Sequence, residues 1–537
     1  MKLNYVGKSA RVSSKTGVDS SRCLDVRLRA PMKIHGNPRS DEGRLIWARL
    51  HPLAIVAIGL AAARPSFAQP AASPTPTPAR EVRQLSLENT PWTGDFDQIL
   101  ERRMLRVLVP YSRTLYYTDK GRERGLTAEL VRDFERYINK KYKTGKRPLT
   151  VYLRPTTRDK LLPNLIAGLG DIAAGNLTVT ESRLQQVDFV TQTDRRVVDE
   201  IVVLGPNAAP VASIDDLSGR EVDVRQASSR YESLVALNEK FRKAGKPEIV
   251  LDLVPDALED EDMMEMANAG LFDLLIVDDW KAKMWAQVLP KIRINENVIL
   301  RDDGEIGWAI RKRSPKLEAA IKDFDVAYSR KQGVHAYRLQ QAMKRVNQIQ
   351  DPKRSSDWKR FEETLALFRR YGDRYHFDPL MLAAQGYQES GLNPAAKSHV
   401  GAIGVMQLMP ATGREMKVGD IHVTENNIHA GAKYMDRLMT TYFSGAHFSE
   451  EERPLFAFAS YNSGAARIAK MRALAQQRGL DPDKWFNNVE IVVADKIGIE
   501  TTTYVRNIYK YYVSYKLTLE AQEQRKKALE NVKKPTG

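Results

Sequence analysis

One acid, Glu389, stands beside a glycine-punctuated wall of polar and apolar residues. Gln388-Glu389-Ser390-Gly391-Leu392-Asn393-Pro394 is followed by Gly401-Ala402-Ile403-Gly404-Val405-Met406-Gln407-Leu408-Met409-Pro410-Ala411-Thr412. A carboxyl group hands a proton to a leaving oxygen and takes one back efficiently only when its pKa lies near the working pH. The residues upstream supply a means. Asp378 can cap a helix that begins at Pro379 and runs through Leu380, Met381, Leu382, Ala383 and Ala384 towards Tyr387, with Gly391 as its stop. Glu389 then lies in the last turn, where the negative end of the helix dipole and apolar neighbours disfavour a carboxylate and raise its pKa. No second acid lies between Glu389 and Thr412. A mechanism that divides acid and base or nucleophile between two carboxylates would need a second one, so a single group acting first as acid and then as base fits this block better, although distant loops are free to supply another.

The ordered set Glu-Ser, Asn-Pro, Ser, then Gly-Ala-x-Gly-x-Met-Gln-x-Met-Pro-x-Thr resembles the signature of lytic murein transglycosylases with a soluble-transglycosylase, goose-lysozyme-like domain. The resemblance implies that Glu389 is catalytic and that Ser398, nine positions on, lies near the carboxyl and the bound sugar. It implies that Gln407 and Met409 line the sugar groove, Gln407 by hydrogen bonding an N-acetyl-type group. Of Met406 and Met409, one is expected in the core and the other at the groove. Phe456-Ala457-Phe458-Ala459-Ser460-Tyr461-Asn462-Ser463-Gly464 resembles the family's Ala-Tyr-Asn-Ala-Gly element, with Ser460 and Ser463 where alanines are usual. This implies that Tyr461 orients Glu389 or the leaving oxygen, with Asn462 beside it at the substrate. Glu500-Thr501-Thr502-Thr503-Tyr504-Val505 resembles Glu-Thr-Arg-x-Tyr-Val, but Thr502 stands where arginine is common. Glu500 is left with two readings, a groove residue or a helix-capping glutamate. The implied reaction cleaves the β-1,4 bond between N-acetylmuramic acid and N-acetylglucosamine of peptidoglycan without water, leaving 1,6-anhydromuramoyl ends. A lysozyme-type hydrolase, or an inactive fold serving as solute sensor or wall-binding protein, are the alternatives.

From about Phe96 the chain alternates short apolar strands with helical stretches: Leu105 to Val109, a helix through Leu126 to Ile138, Thr150 to Leu153, a helix from Arg158 to Gly168, then Asp171 to Ala173. This is an α/β pattern. Within it, Gly170 to Arg183 resembles the hinge-proximal motif of family 3 periplasmic solute-binding proteins, and Ile214 to Val222 the start of their second lobe. The resemblance implies that Arg183 clamps a ligand α-carboxylate, for which a guanidinium fork is geometrically suited. It further implies that Thr178 and Thr180 offer hydroxyl and backbone donors, and that Asp278 or Asp279 receives an α-amino group. A scaffold in which Arg183 forms only a structural ion pair is the competing reading. The tandem resembles the layout of the membrane-bound lytic murein transglycosylase F group.

The expected architecture is a two-lobed α/β periplasmic-binding-protein-like domain at 97–335 followed by a mainly α lysozyme-like domain at 350–518. A leader at 1–68, a Pro/Ala/Thr-rich linker at 69–96 and a solvated, charged tail at 519–537 complete it. The formal charge is +16, and residues 1–68 carry 12 basic against 4 acidic side chains. The modest excess in the remainder suits an anionic polymer such as peptidoglycan, and no basic-aromatic cluster argues for nucleic acid. The uncharged run from Leu50 to Ala63 follows Arg44 and Arg49 and precedes Ser66-Phe67-Ala68, the order of a signal peptide. It is short for a membrane span, and Met32 is an alternative start. Cys23, the one cysteine, precedes the apolar run, so no lipobox is present and no intrachain disulfide can form. Export to the periplasm of a Gram-negative bacterium is expected, with peripheral association at the outer membrane. The ligand expected in the front half is an amino acid or muropeptide. No cofactor is expected, nor a metal, since His399, His422, His429 and His447 are scattered and near no cysteine.

Overall fold

The computed structural model describes residues 82–532, apart from 88–89, 120–121, 192–196, 350–355 and 444. The expected leader, Cys23, the Pro-rich run 69–80 and the last five residues lie outside the described residues. Asp95 opens the front half with a capping box on helix Phe96–Arg102. Eleven strands follow: β1 Met104–Pro110, β2 Tyr117–Asp119, β3 Arg122–Arg124, β4 Thr150–Thr156, β5 Ile172–Thr178, β6 Val187–Thr191, β7 Val197–Leu204, β8 Glu221–Val224, β9 Val250–Leu253, β10 Leu274–Asp278 and β11 Arg293–Arg311. Every residue of β1 is buried, as expected for a parallel strand covered on both faces.

The large sheet runs β4-β1-β5-β11-β7-β10-β8-β9, with β6 also on β11. β11 makes this one sheet with two lobes. Its last residues, Ile306 to Arg311, pair with β5 and β6, whereas Arg293 to Glu305 pair with β7 through several register shifts. Shifts of this kind bend a strand, so β11 passes from one lobe to the other. Each lobe has its own core, around Phe134 and Ile310 in the first and around Trp285 and Leu275 in the second. The α/β front half therefore has the expected two-lobed form.

The rear half is helical: Ser356–Tyr375, Pro379–Ser390, Pro410–Met416, Thr424–Thr440, Arg453–Ser463, Ala465–Gln477, Glu490–Lys496 and Ile499–Val532. These pack around one core that includes Phe368, Met406, Phe456, Trp485 and Tyr512. That core also takes in Met104 and Tyr152 from β1 and β4.

Two expected boundaries are corrected. The region 69–96 is not linker throughout, because Arg83 pairs with Asp436 at 2.7 Å and Leu85 is buried in the rear core. Tyr509 Oη also donates to Ser86 O at 2.8 Å. Nor is the stretch from Leu519 to Val532 a solvated, frayed tail. It continues the 34-residue helix Ile499–Val532 and lays a stripe on the front half. Gln522 Nε2 donates to Tyr111 Oη at 2.9 Å, Arg525 pairs with Asp262 at 2.6 Å, and Ala528 joins the second-lobe core. The alternating charges hid this stripe, whose 522, 525 and 528–529 spacing follows one helix face.

The halves are also joined through Arg506. Its guanidinium makes two hydrogen bonds to fully buried Glu490, and its Nη1 donates to Arg103 O at 2.7 Å. Removing one partner of a buried pair leaves an uncompensated charge, so Arg506→Met is expected to cost about 3–5 kcal/mol. A urea-unfolding midpoint unchanged from that of the parent would disprove this.

Candidate functional site

Helix Pro379–Ser390 is built as its sequence directs. Asp378 Oδ1 accepts from Leu380 N at 2.9 Å, proline occupies the first turn, and Gly391 ends the helix in the left-handed region at φ 63°. Glu389 sits partly buried in the last turn. Its Oε1 accepts a hydrogen bond of 2.5 Å from Tyr504 Oη. Burial raises the Glu389 pKa to about 7, against the opposing pull of the Tyr504 bond. No second carboxylate among the described residues contributes to that shift. The arrangement is a carboxyl group that is protonated or ionised with comparable ease near neutrality, touched by one neutral donor.

The glycine-rich segment forms the adjoining wall. Ser390 Oγ donates to Val405 O at 2.8 Å, tying the end of the Glu389 helix to this loop. Asn427 accepts from Met406 N at 2.8 Å and donates to Ile403 O at 2.9 Å. A Cβ on Gly404 would meet the Asn427 amide at 2.5 Å, and Gly404 has φ +75°, so glycine is required there twice over. Met406 is fully buried while Met409 is 43% exposed, which sends the first to the core and the second to the surface. Gln407 adopts φ 44° and donates through Nε2 to Gly404 O at 2.8 Å and Ala396 O at 3.2 Å. Ser398 Oγ accepts from Ala402 N at 2.9 Å.

The expected contact from Tyr461 to the acid is made instead by Tyr504. Tyr461 Oη donates to Met406 O at 2.8 Å and so pins the loop. It is still close enough for the Glu389 charge to add to the rise that burial imposes on its pKa. Asn462 accepts from Thr501 Oγ1 at 2.7 Å, which joins the Tyr-Asn element to the start of helix Ile499–Val532. Glu500 is exposed in the first turn of that helix, where a negative charge favours the dipole. Thr502, standing where arginine is usual, is buried with its hydroxyl on Ile499 O at 3.0 Å. The signal for Tyr504 was present in the Tyr-Val of that motif, but only the fold brings the phenol to Glu389.

In the front half the residues expected to hold a ligand already have protein partners. Arg183 Nε lies 3.1 Å from Glu232 and its Nη1 donates to Thr178 O at 3.0 Å. Asp278 pairs with Arg230 at 2.7 Å and accepts from Asn176 Nδ2 at 2.6 Å. Thr178 Oγ1 accepts from Ser229 at 3.2 Å, and Thr180 caps helix Glu181–Gln186. Asp279, partly exposed, pairs with Lys283 at 3.3 Å. Arg230 and Glu232 belong to one helix, Ser229–Lys243, which thus presents a cation to the acid and an anion to the arginine.

Around them, four consecutive buried acids are each engaged across the lobes or within the second lobe. Glu259 binds Arg158 at 2.8 Å, Asp260 binds Arg230 at 2.9 Å and Lys281 at 2.5 Å, Glu261 accepts from Ser112 at 2.8 Å, and Asp262 binds Arg113 at 2.8 Å.

Residues 106–334 match the model for bacterial extracellular solute-binding proteins, family 3, and residues 366–485 match the transglycosylase SLT domain. The chain is thus similar to a family 3 solute-binding domain followed by a transglycosylase SLT domain. Over most of its length it is similar to proteins named membrane-bound lytic murein transglycosylase F. That of Ectopseudomonas mendocina (strain ymp) is 27% identical over 442 residues, 78% of this chain and 85% of the relative. That of Desulfosudis oleivorans is 26% identical over 435 residues, 77% and 90% of the two chains. Among solved structures, the amino acid transporter substrate-binding protein AbpA from Streptococcus pneumoniae, bound to L-arginine, aligns with a TM-score of 0.38 at 18% identity. That alignment covers 47% of this chain and 99% of AbpA.

Two outcomes are expected. The SLT-domain Glu389 binds a proton more tightly folded than unfolded, so its contribution to stability falls as pH rises from about 4.5 to about 7. Glu389→Gln should therefore gain stability over the parent through that window, by at most about 3 kcal/mol after solvent screening is allowed for. A thermal-midpoint difference that is flat with pH would contradict it. In the solute-binding domain, free α-amino acids must displace both Glu232 and Arg230, so calorimetry should detect no binding below about 1 mM. Micromolar heats with any of them would overturn that expectation.

Proposed function

We propose that the chain is a peptidoglycan lytic transglycosylase in which Glu389 is both general acid and general base. The observation that carries this reading is a carboxyl group, raised to about 7 by burial, whose side chain accepts from one neutral phenol among the described residues. Support comes also from the transglycosylase SLT domain and from relatives named for that activity. Protonated Glu389 donates to the glycosidic oxygen between N-acetylmuramic acid and N-acetylglucosamine, and that bond breaks through an oxocarbenium-like state. The 2-acetamido group or local dipoles stabilise the positive charge. The Glu389 carboxylate then removes the proton of the muramoyl C6 hydroxyl, whose oxygen bonds to the anomeric carbon. The acid is regenerated, no water is consumed, and the product carries a 1,6-anhydromuramoyl end.

In this reading Ser398, Gln407, Met409, Tyr461, Asn462 and Glu500 serve the sugar groove. Met409 is the exposed apolar surface, while Tyr461 and Gln407 hold the loop's shape. The protein works on the wall side of the envelope, peripheral to the outer membrane. Among the described residues no helix is long and apolar enough to cross a membrane. The front half supports the catalytic half, and an amino acid or muropeptide reaches Arg183 and Asp278 only by opening the contacts that Glu232 and Arg230 now make.

Digestion of purified peptidoglycan, with mass spectrometry of the products, tests the catalytic assignment. The parent should give anhydro ends, lighter by one water than hydrolysis products, and Glu389→Gln should lose roughly 10²–10⁴-fold in rate. Reducing ends carrying oxygen from labelled solvent would make the enzyme a hydrolase, and full activity in Glu389→Gln would remove that residue from the mechanism.

A further inference from the structure

Tyr504 has a second side-chain neighbour besides Glu389, Gln385. It sits one turn before Glu389 on helix Pro379–Ser390 and is fully buried. Its Nε2 is 3.5 Å from Tyr504 Oη, and its Oε1 meets no partner among the described residues. A buried amide oxygen left unused is uncommon and calls for an explanation. The order Gln385, Tyr504, Glu389 supplies one, since Tyr504 Oη is also 2.5 Å from Glu389 Oε1.

A phenol has one proton. When Glu389 is ionised, Tyr504 donates that proton to the carboxylate and its oxygen can accept from the Gln385 amide. When Glu389 is protonated and donates to the Tyr504 oxygen, the phenolic proton needs a different acceptor. Gln385 Oε1 can become that acceptor by a half-turn of the amide. Among uncharged side chains with a flexible stem, an amide offers both a donor and an acceptor of this kind.

We infer that Gln385 is a positioning residue that supports Tyr504 in both protonation states of Glu389 by reversing its amide. The inference rests on the proposed acid-base role of Glu389. It concerns the hydrogen-bond direction in the three-residue chain and adds no group that touches substrate.

Gln385→Met keeps length and volume but removes the amide. Where protonated Glu389 donates to the Tyr504 oxygen, the phenolic proton then has no acceptor at position 385, whereas ionised Glu389 costs Tyr504 only a donor to a spare lone pair. The protonated form is penalised more, so the alkaline limb of kcat/KM should move to lower pH by roughly one unit. In a Tyr504→Phe background the same replacement should leave the limb where Tyr504→Phe alone puts it. An unmoved limb in Gln385→Met, or the same displacement with and without Tyr504, overturns the inference.

A measurement on the full chain without replacement at 385 guards against misfolding. In selectively ¹⁵N-glutamine-labelled protein the Gln385 side-chain amide signal should titrate near neutrality, and that titration should vanish in Glu389→Gln. A signal that is flat across that range overturns the inference equally. Retained activity in Glu389→Gln would instead sink the underlying catalytic reading, so the two failures are distinct.

Discussion

Tyr504 reaches Glu389 from a helix more than a hundred residues downstream, and the contact decides what that carboxyl group can do. Taking an ion out of water is costly unless a counter-charge meets it. Elsewhere this protein meets that cost with arginine: Asp171 has Arg106, Glu259 has Arg158 and Glu490 has Arg506. Each such acid sits in a buried pair with a guanidinium. Glu389 is given a phenol instead, and its pKa stays near 7. The neutral partner is what leaves the proton available.

Holding that contact requires the last helix to be in register with helix Pro379–Ser390, and the register is fixed at the other end of the latter. Asp378, which caps it, also accepts from Tyr512 Oη at 3.0 Å and Lys516 Nζ at 2.8 Å. The same long helix therefore grips the first turn through Asp378 and the last turn through Glu389. It spans about 50 Å and continues past the catalytic half, bonding Ser514 to Tyr116 in the first lobe and Arg525 to Asp262 near the second. One rigid element sets the acid's partner and docks the solute-binding domain.

Local rules made much of this legible in the chain. The Asp-Pro start and Gly stop around Glu389, the mostly apolar β1 and the Gly-Ala-x-Gly wall depend on neighbours within a few residues, and each takes the expected form. What the sequence did not show are partners chosen over long separations. Tyr461 and Tyr504 both come from family-like motifs, and only the packing of their helices directs one hydroxyl to Met406 O and the other to Glu389. The run from Leu519 to Val532 reads as polar because its contacts to the front half are made by Gln522, Arg525 and small alanines, not by a conspicuous apolar stripe. Arg183 and Asp278 were readable as a clamp, but nothing in their own neighbourhoods announced that Glu232 and Arg230 fill it.

That filling bears on why a solute-binding fold accompanies the catalytic half. A domain kept only to bind a ligand needs its charged groups free or exchangeable with water in the unbound state. Here the interlobe acids and arginines are buried and mutually neutralised, and opening them would expose several unpaired charges at once, each costing free energy. Packing offers an independent reason for the domain's presence. Met104 and Tyr152, on β1 and β4, lie in the same core as Phe368, Met406 and Tyr512. Tyr152 packs edge-on against Tyr509 at 5.3 Å on the helix that carries Tyr504. Removing the front half would strip apolar cover from the element that positions Tyr504, the donor to Glu389. The solute-binding-like fold is thus part of the catalytic half's own core.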